Sequence, residues 1–153
     1  MEENINKFIV RPAGPKDSKR IWEIRNHPEA RENSGNSEVI PFANHLKWFE
    51  NKYFKEPGNF CFVLEEKNRV IGYCRFDHDK NGKNFVISIA VDYDFQGGGR
   101  GSFLLKSCLA EIEPQKKVIL AEIKKGNEAS AKLFKKNGFA VYKEDKDNYY
   151  LKY

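Results

Sequence analysis

The sequence predicts a mixed α/β fold, in which a central and mostly antiparallel sheet carries helices on its faces. The middle of the chain alternates apolar and polar residues with the period of strands, and the stretches on both sides repeat apolar residues with the period of helices. The 153 residues, of which 40% are hydrophobic and 14% aromatic, suffice for one sizeable core and are too few for two ordinary domains. We therefore expect a single domain over residues 1–153.

The first third of the chain is predicted to contain one strand and two helices. The strand ends at Pro12, and a helix with an apolar inner face follows over residues 16–26. Residues 27–42 are rich in proline, glycine, asparagine and serine without periodicity, so we predict a loop there. Asn44 is then predicted to cap a second helix over residues 45–54.

The rest of the chain is predicted to form a meander followed by alternating helices and strands. Short polar turns separate the first three strands, which is typical of antiparallel pairing. The predicted strands cover residues 59–66, 70–79, 84–92, 117–123, 139–144 and 148–153, and the predicted helices cover residues 100–113 and 128–137. This order of elements indicates one sheet with helices packed on its faces.

The charge and the apolar runs exclude several functional classes. The net charge is +5, but the basic residues are interleaved with 22 acidic ones, which argues against a nucleic-acid-binding arm and is compatible with a phosphate-bearing small ligand. No run approaches the ~18 apolar residues of a membrane span, and the N-terminus carries charge where a signal peptide would be apolar. We expect a cytoplasmic protein that binds neither nucleic acid nor membranes.

The cysteines and histidines do not indicate a disulfide framework or a metal site. Cys61, Cys74 and Cys108 are odd in number and lie in apolar patterns, which favours buried, reduced thiols. His27 and His78 are interpreted as loop residues, and no third ligand lies at a spacing that would hold zinc. We predict that no metal is bound.

A glycine-rich run joins the third strand of the meander to the next helix. Three glycines and Gly101 lie within residues 97–101, directly before an amphipathic pattern. Successive backbone amides at a helix N-terminus form an anion site, whereas a plain turn needs only one or two glycines. A P-loop is excluded because no Gly-Lys-Ser/Thr follows, and a dinucleotide fingerprint is weak because Ser102 replaces its third glycine.

The same run resembles the signature of a known family. Residues 96–101, Gln-Gly-Gly-Gly-Arg-Gly, match the Q/R-x-x-G-x-G/A motif of the Gcn5-related N-acetyltransferases (GNAT). The likeness extends over residues 87–105 and 121–139, and the order of elements is also similar. The resemblance implies the GNAT fold, with a sheet that splays open between its fourth and fifth strands. It further implies an acetyltransferase that moves the acetyl group of acetyl-CoA to a primary amine.

The resemblance also implies which residues hold the coenzyme. The amides of the glycine loop would bind the pyrophosphate, main-chain groups of the fourth strand would bind the pantetheine arm, and the start of the last helix would lie near the adenosine. The residues implied are Ile89, Ala90, Val91, Gln96, Gly97, Gly98, Gly99, Arg100, Gly101, Ser102, Asn127, Ser130 and Phe134. Lys132, Lys135 and Lys136 are either a solvated helix face or a site for the 3′-phosphate.

Two positions concern the proton transfers that the reaction needs. Glu122 matches a carboxylate proposed as the base in related enzymes, which would accept the proton of the attacking amine. Phe134 occupies the place of a tyrosine that usually protonates the departing sulfur in the family, and phenylalanine has no donor. The proton donor to the sulfur would then be water or a tyrosine elsewhere, such as Tyr142, Tyr149 or Tyr150. A thiol with a pKa near ~8.5 is also acidic enough for its thiolate to leave without a proton donor.

The first half resembles the GNAT subgroup that acetylates amino groups on sugar nucleotides, notably the 4-amino sugars of bacterial pseudaminic-type pathways. Its short motifs R-N-x-x-x-x-R, H-x-x-W-F and R-F-D recur here. The implied acceptor-binding residues are Arg25, Asn26, Arg31, His45, Trp48, Arg75 and Asp77. Arginines suit a diphosphate, an aromatic ring can stack on a base or sugar, and His45 and Asp77 can bond hydroxyls. Trp48 and Phe49 are equally well explained as core residues of a helix.

Two other functional classes stay open at this point. A protein or peptide N-terminal acetyltransferase is favoured by Glu122, and a coenzyme-binding module without catalysis is favoured by Phe134. The tyrosine-rich C-terminal strand would suit a homodimer formed through terminal strands, but it would suit an inner strand of the monomer equally well.

Overall fold

A seven-stranded sheet forms the centre of the computed structural model, which describes residues 8–34 and 37–153. The strands are β1 Ile9–Pro12, β2 Phe60–Glu66, β3 Arg69–His78, β4 Asn84–Val91, β5 Val118–Lys124, β6 Ala140–Glu144 and β7 Asn148–Lys152, in the spatial order β1-β2-β3-β4-β5-β7-β6. The helices are α1 Ser18–Asn26, α2 Pro28–Glu32, α3 Phe42–Glu50, α4 Arg100–Ile112 and α5 Glu128–Lys136. The predicted mixed α/β fold is confirmed.

The first four strands pair antiparallel in sequence order, and β2, β3 and β4 form the antiparallel meander that the alternating pattern predicts. The β2–β3 turn places Lys67 and Asn68 at φ 50° and 63°, the left-handed conformation that tight hairpins require. Cys61, Cys74 and Cys108 are buried and free, as predicted.

The sheet opens between β4 and β5. These strands are parallel and pair only at Asn84–Val118, Phe85–Ile119 and Val86–Leu120. Beyond these three pairs the strands separate, so the second half of β4 has no strand partner on the β5 side. This is the splay that the resemblance implied.

The C-terminal strand β7 is an inner strand. It pairs antiparallel with both β5 and β6, and Leu151 at its centre is fully buried. Of the two interpretations of the tyrosine-rich strand, the structure therefore selects the inner strand of the monomer, because both edges of β7 are already paired.

Helices cover both faces of the sheet. On one face, α4 and α5 bury residues such as Leu104 and Phe134 against β4, β5 and β7. On the other face, α1 and α3 bury Ile21, Ile24 and Phe49 against β2 and β3. The second face also carries the charged residues of the cleft described below.

Two predictions for the first third were wrong. Residues 27–42 are not all loop, because α2 forms there with Pro28 in its first turn and the His27 side chain accepting a hydrogen bond from the Glu29 amide. The next helix begins at Phe42 and not after Asn44, with Pro41 at the N-cap. Composition alone suggested a loop because histidine is an uncommon cap. Proline in a first turn nevertheless sets a φ that is compatible with a helix.

Candidate active site

The glycine-rich run forms a left-handed loop that leads into α4. Gly97, Gly98 and Gly99 have φ of 86°, 65° and 77°, a conformation that costs L residues with a side chain ~1–2 kcal/mol each. A Cβ on Gly97 or Gly99 would meet no atom within 4 Å. The space around the loop is therefore open, and backbone conformation accounts for the glycines.

The first turn of α4 offers unpaired donors. Gly99 is the N-cap, and within residues 8–34 and 37–153 no side chain caps this end of the helix. The first amide bonded in the helical pattern is that of Phe103, which donates to the Gly99 oxygen at 2.9 Å. The Arg100 amide makes a long contact of 3.4 Å to the Gly97 oxygen, and the amides of Gly101 and Ser102, together with the helix dipole, fit an anionic group such as a pyrophosphate.

Arg100 anchors the loop through its side chain. Its guanidinium pairs with Glu66 at 3.1 Å and lies over the ring of Phe95 at 5.7 Å. A second ion pair, Arg20 to Asp92 at 2.6 Å, ties α1 to the residue that follows β4. The loop is thereby connected to both the sheet and α1.

A cleft of about 1620 Å³ begins at the glycine loop and follows the opening of the sheet. The predicted coenzyme-binding residues that line it are Ile89, Ala90, Val91, Gln96, Gly97, Gly99, Arg100, Gly101, Ser102, Asn127, Ser130 and Phe134. Gly98 is in the loop but does not line the cleft. Asn127 caps α5 by accepting a hydrogen bond from the Ser130 amide at 3.2 Å, so its Oδ1 is already engaged.

Lysines surround the end of the cleft next to α5. Lys132 and Lys136 line it, and so do Lys124, Lys125 and Lys146. Lys135 does not line the cleft, because its ammonium lies 5.6 Å from the centre of the Tyr149 ring. This basic rim suits a phosphate-bearing ligand.

Glu122 lies in the cleft and is exposed. Side chains alternate along a strand, and its neighbours Ala121 and Ile123 pack into the core on the α4 side. On β4, Ile89 packs into that same core whereas Ala90 packs against the α1 side. Glu122 therefore faces the α1 side, on the same face of the sheet as Ser88 and Ala90.

The proton donors proposed in place of a tyrosine at position 134 lie elsewhere. Phe134 is buried against Phe139, with ring centroids 4.9 Å apart. Tyr142, Tyr149 and Tyr150 do not line the cleft, and the Tyr150 hydroxyl donates to Asp145 at 2.7 Å.

Two other tyrosines line the cleft among the described residues, and sequence reasoning missed both. Tyr73 pairs in register with Ala90, and its burial raises the pKa of its hydroxyl. Tyr93 stacks on His27 at the cleft mouth, with ring centroids 4.8 Å apart. The sequence alone does not assign Tyr73 to the cleft, because only the sheet order shows that its face of β3 meets the cleft.

Three of the predicted acceptor-binding residues line the cleft, namely Arg25, Arg31 and Arg75. The Arg31 guanidinium donates to the backbone oxygens of Asn26 and Ser37, each at 3.1 Å. Burial lowers the pKa of Arg25 below its usual range, although an arginine stays charged at any physiological pH.

The other four predicted acceptor-binding residues do not line the cleft, and each has internal partners. Asn26 bonds both backbone groups of Ile40. Trp48 lies under the guanidinium groups of Arg25 and Arg75. Asp77 is 8% exposed, accepts a hydrogen bond from Tyr53 at 2.6 Å and pairs with Arg75.

His45 is the most buried of these residues, at 1% exposure. Its Nδ1 accepts a hydrogen bond from Arg25 at 3.0 Å. Burial, together with the charge of Arg25, lowers the pKa of His45 from 6.5 to about 4. The imidazole is therefore neutral at pH 7 and holds Arg25 in place.

The splayed sheet and the anion-binding glycine loop define a protein that binds an acyl-coenzyme A. Residues 19–139 match the model of the acetyltransferase (GNAT) family, and the chain belongs to that family. It is an acetyltransferase that uses acetyl-CoA.

Several characterised proteins are similar to this chain. The L-amino acid N-acyltransferase MnaT of Escherichia coli is 31% identical over 138 residues, which span 86% of this chain and 79% of that protein. The acetyltransferase PseH of Campylobacter jejuni is 27% identical over 134 residues, 87% and 83% of the two chains. The structure of Salmonella typhimurium yncA, solved with its cofactor acetyl-CoA, superposes with a TM-score of 0.81 at 26% identity and covers 97% of this chain and 94% of that one.

Two features of the described part of the chain concern membranes and metals. None of its helices has the length and apolar character needed to cross a bilayer. No group of three histidine, cysteine or acidic side chains is arranged there to hold a metal ion.

Proposed function

We propose that this protein acetylates the primary amine of a small molecule, with Glu122 as the base. The observation that carries the proposal is that Glu122 faces the same side of the opened sheet as the arginines of the cleft, which also contains the glycine loop. Bound acetyl-CoA supplies the thioester that the amine attacks. The amides from Gly97 to Ser102 would hold its pyrophosphate, and main-chain groups of Ile89, Ala90 and Val91 would hold its pantetheine arm.

Glu122 accepts the proton that the amine must lose to become a nucleophile. The side chain is exposed, so it can reach an acceptor directly or through one water. When bound, acetyl-CoA would supply an acetyl group whose transfer to the amine releases coenzyme A as a thiolate, and water or a hydroxyl of this chain would give that thiolate its proton. If that hydroxyl belongs to a tyrosine, the geometry favours Tyr73 or Tyr93 over Tyr142, Tyr149 and Tyr150, because only the first two line the cleft.

The first candidate acceptor is a nucleotide-linked amino sugar. Three arginines on the acceptor side support it, since Arg25, Arg31 and Arg75 suit the diphosphate of such a molecule. The similarity to an acetyltransferase named PseH is consistent with this candidate.

The second candidate acceptor is an amino acid. Trp48, His45 and Asp77 are engaged inside the protein, so the stacking and hydroxyl-binding surfaces expected for a base or sugar are not available in the cleft. An amino acid needs only a carboxylate site beside its amine. The similarity to an enzyme named as an L-amino acid N-acyltransferase is consistent with this candidate.

A thiol-release assay separates these candidates. Purified protein and acetyl-CoA are combined with panels of nucleotide-linked 4-amino sugars, L-amino acids, peptides and polyamines. We expect turnover with one of the first two panels. Turnover with peptides alone would refute both candidates in favour of a protein N-terminal acetyltransferase.

Two further expectations belong to this proposal. The buried, reduced cysteines suit a reducing compartment such as the cytoplasm. A homodimer would have to use a surface other than β7, since both edges of that strand are paired.

A further inference from the structure

We propose that Arg25 and Arg75 together bind an oxyanion of the acceptor, so that the substrate carries a carboxylate or phosphate group as well as its amine. This inference rests on the proposed function and specifies the substrate class of the same cleft. Both candidate acceptors share this chemistry, one through a diphosphate and the other through a carboxylate. The inference itself depends on the arrangement of the two arginines.

A single aromatic ring positions both guanidinium groups. The Cζ atom of Arg25 lies 4.3 Å from the centre of the Trp48 ring, and that of Arg75 lies 5.1 Å from it. Stacking on an aromatic face leaves the in-plane N–H donors of a guanidinium free to bond elsewhere. Trp48 is thus the support of the site and not the surface that touches the ligand.

The positive charge at this site exceeds the negative charge. Within the described residues Arg25 forms no ion pair with a carboxylate, and its one side-chain hydrogen bond is to the neutral imidazole of His45. Arg75 forms an ion pair with Asp77, and the Lys52 Nζ lies 3.5 Å from the same carboxylate. One carboxylate therefore lies among three cations that surround the Trp48 ring, and an excess of like charge in one region is costly unless an anion joins it.

Arg75 also has an unsatisfied donor. Its Nε is buried and has no hydrogen-bond partner among the described residues. A buried N–H without a partner costs ~1–3 kcal/mol, so a ligand or water that accepts from it would be stabilising. The pairing of Arg75 with Ser88 in the sheet register brings this guanidinium beside the opened strand.

The arginines and the proposed base lie on one face of the sheet. Side chains of β3 and β4 that pair in register project to the same side, so Arg75 lies on the face of Ser88, which is also the face of Glu122. A molecule with an amine at Glu122 and an oxyanion at Arg25 and Arg75 would be fixed at two points. Two-point binding orients the amine and excludes simple amines that lack the anion.

The experiment compares acceptors that differ only in the oxyanion. The pairs are L-methionine with L-methionine amide, and a UDP-linked 4-amino sugar with the methyl glycoside of the same sugar. Steady-state kcat/KM is measured for wild type, Arg25→Gln and Arg25→Lys. Lys19→Gln is the matched control, because it removes one positive charge from the exposed face of the same helix. Calorimetry of the same compounds on protein saturated with coenzyme A measures binding without turnover, and thermal unfolding checks that each variant is folded.

We expect wild type to prefer the anionic member of one pair. Arg25→Gln should lower kcat/KM for that compound about 10- to 100-fold, as for the loss of a charge-assisted hydrogen bond, and should change the neutral member little. Arg25→Lys should keep part of the preference, since it retains the charge but not the planar fork. The pair that shows the effect identifies the source of the oxyanion.

Other results would overturn the inference. An equal loss on both members of a pair would assign Arg25 a structural role. Turnover of neutral amines without preference would leave the proposed activity intact and refute the oxyanion site. The anionic probes could also bind in calorimetry, in a way that depends on Arg25, without being acetylated. That result would support the oxyanion site and refute the proposed activity on these acceptors. Absence of such binding would refute the site.

Discussion

His45 should make the folded protein sensitive to pH in a window where few other groups titrate. Burial and the charge of Arg25 lower the pKa of His45 to about 4, whereas in the unfolded chain it titrates near ~6.5. Below about pH 6.5 the unfolded chain therefore binds a proton that the folded chain does not. Stability falls as the pH falls through this window and levels off near the native pKa.

The size of the effect follows from the two pKa values. Proton linkage with a native pKa of about 4 gives a loss of about 2 kcal/mol in the free energy of unfolding between pH 7 and pH 5. The side chain is 1% exposed, so solvent screening does not reduce this figure appreciably. Carboxylates such as Asp17 and Asp92, whose pKa values are lowered by Arg11 and Arg20 against the effect of burial, lose their contribution only below about pH 4.

Urea unfolding at pH 7 and pH 5 measures this loss directly. The test compares wild type with His45→Gln, in which an amide oxygen can still accept the hydrogen bond from Arg25. Wild type should lose about 2 kcal/mol more than the variant between the two pH values. His78→Gln, at an exposed position, is the control and should behave as wild type. Equal losses in wild type and His45→Gln would refute a neutral, buried His45.

Two predictions concern the coenzyme loop and the base. Gly99→Val should weaken acetyl-CoA binding severely and cost ~1–2 kcal/mol of stability, because valine is strained at φ 77°. Gly82→Val, at φ 66° in the β3–β4 turn, is the control, which should show the same strain in thermal unfolding but bind the coenzyme normally. Equal coenzyme binding by the two variants would exclude the glycine loop from the coenzyme site. Glu122→Gln should lower kcat about 100-fold at neutral pH and below, and less at high pH, where the amine is already deprotonated. Glu111→Gln on the exposed face of α4 is its control, and an unchanged pH profile in Glu122→Gln would remove Glu122 from the mechanism.

The second half of the fold was well predicted from sequence because its signals are local. Alternating apolar residues defined β2 to β4, and the glycine run marked both the end of β4 and the start of α4. The conformation of Gly97 to Gly99, with three successive positive φ angles, is the physical reason why glycine is needed there. A pattern of this kind depends on neighbouring residues and not on the tertiary structure.

The acceptor side was less predictable because its contacts join distant parts of the chain. Trp48 was predicted either to stack on a ligand or to lie in the core. Arg25 and Arg75 cover its ring, and local periodicity does not reveal either contact. His45 was predicted to bond a hydroxyl and instead supports Arg25 from the interior. Three residues of the motifs, Arg25, Arg31 and Arg75, line the cleft, and the sheet order decided which side chains of this region reach it.

The opening between β4 and β5 gives the sheet an internal edge in addition to its two outer ones. A free strand edge can pair with a strand of another polypeptide, which creates a risk of aggregation. Here the edge lies within the molecule and lines the cleft between β4 and β5. On the proposed assignment, this edge binds the pantetheine arm of the coenzyme, which is an extended chain with two amides. The arm would bind in the way that an extended peptide adds to the edge of a sheet. Coenzyme recognition at this edge would then use the same kind of backbone hydrogen bonds that build the sheet.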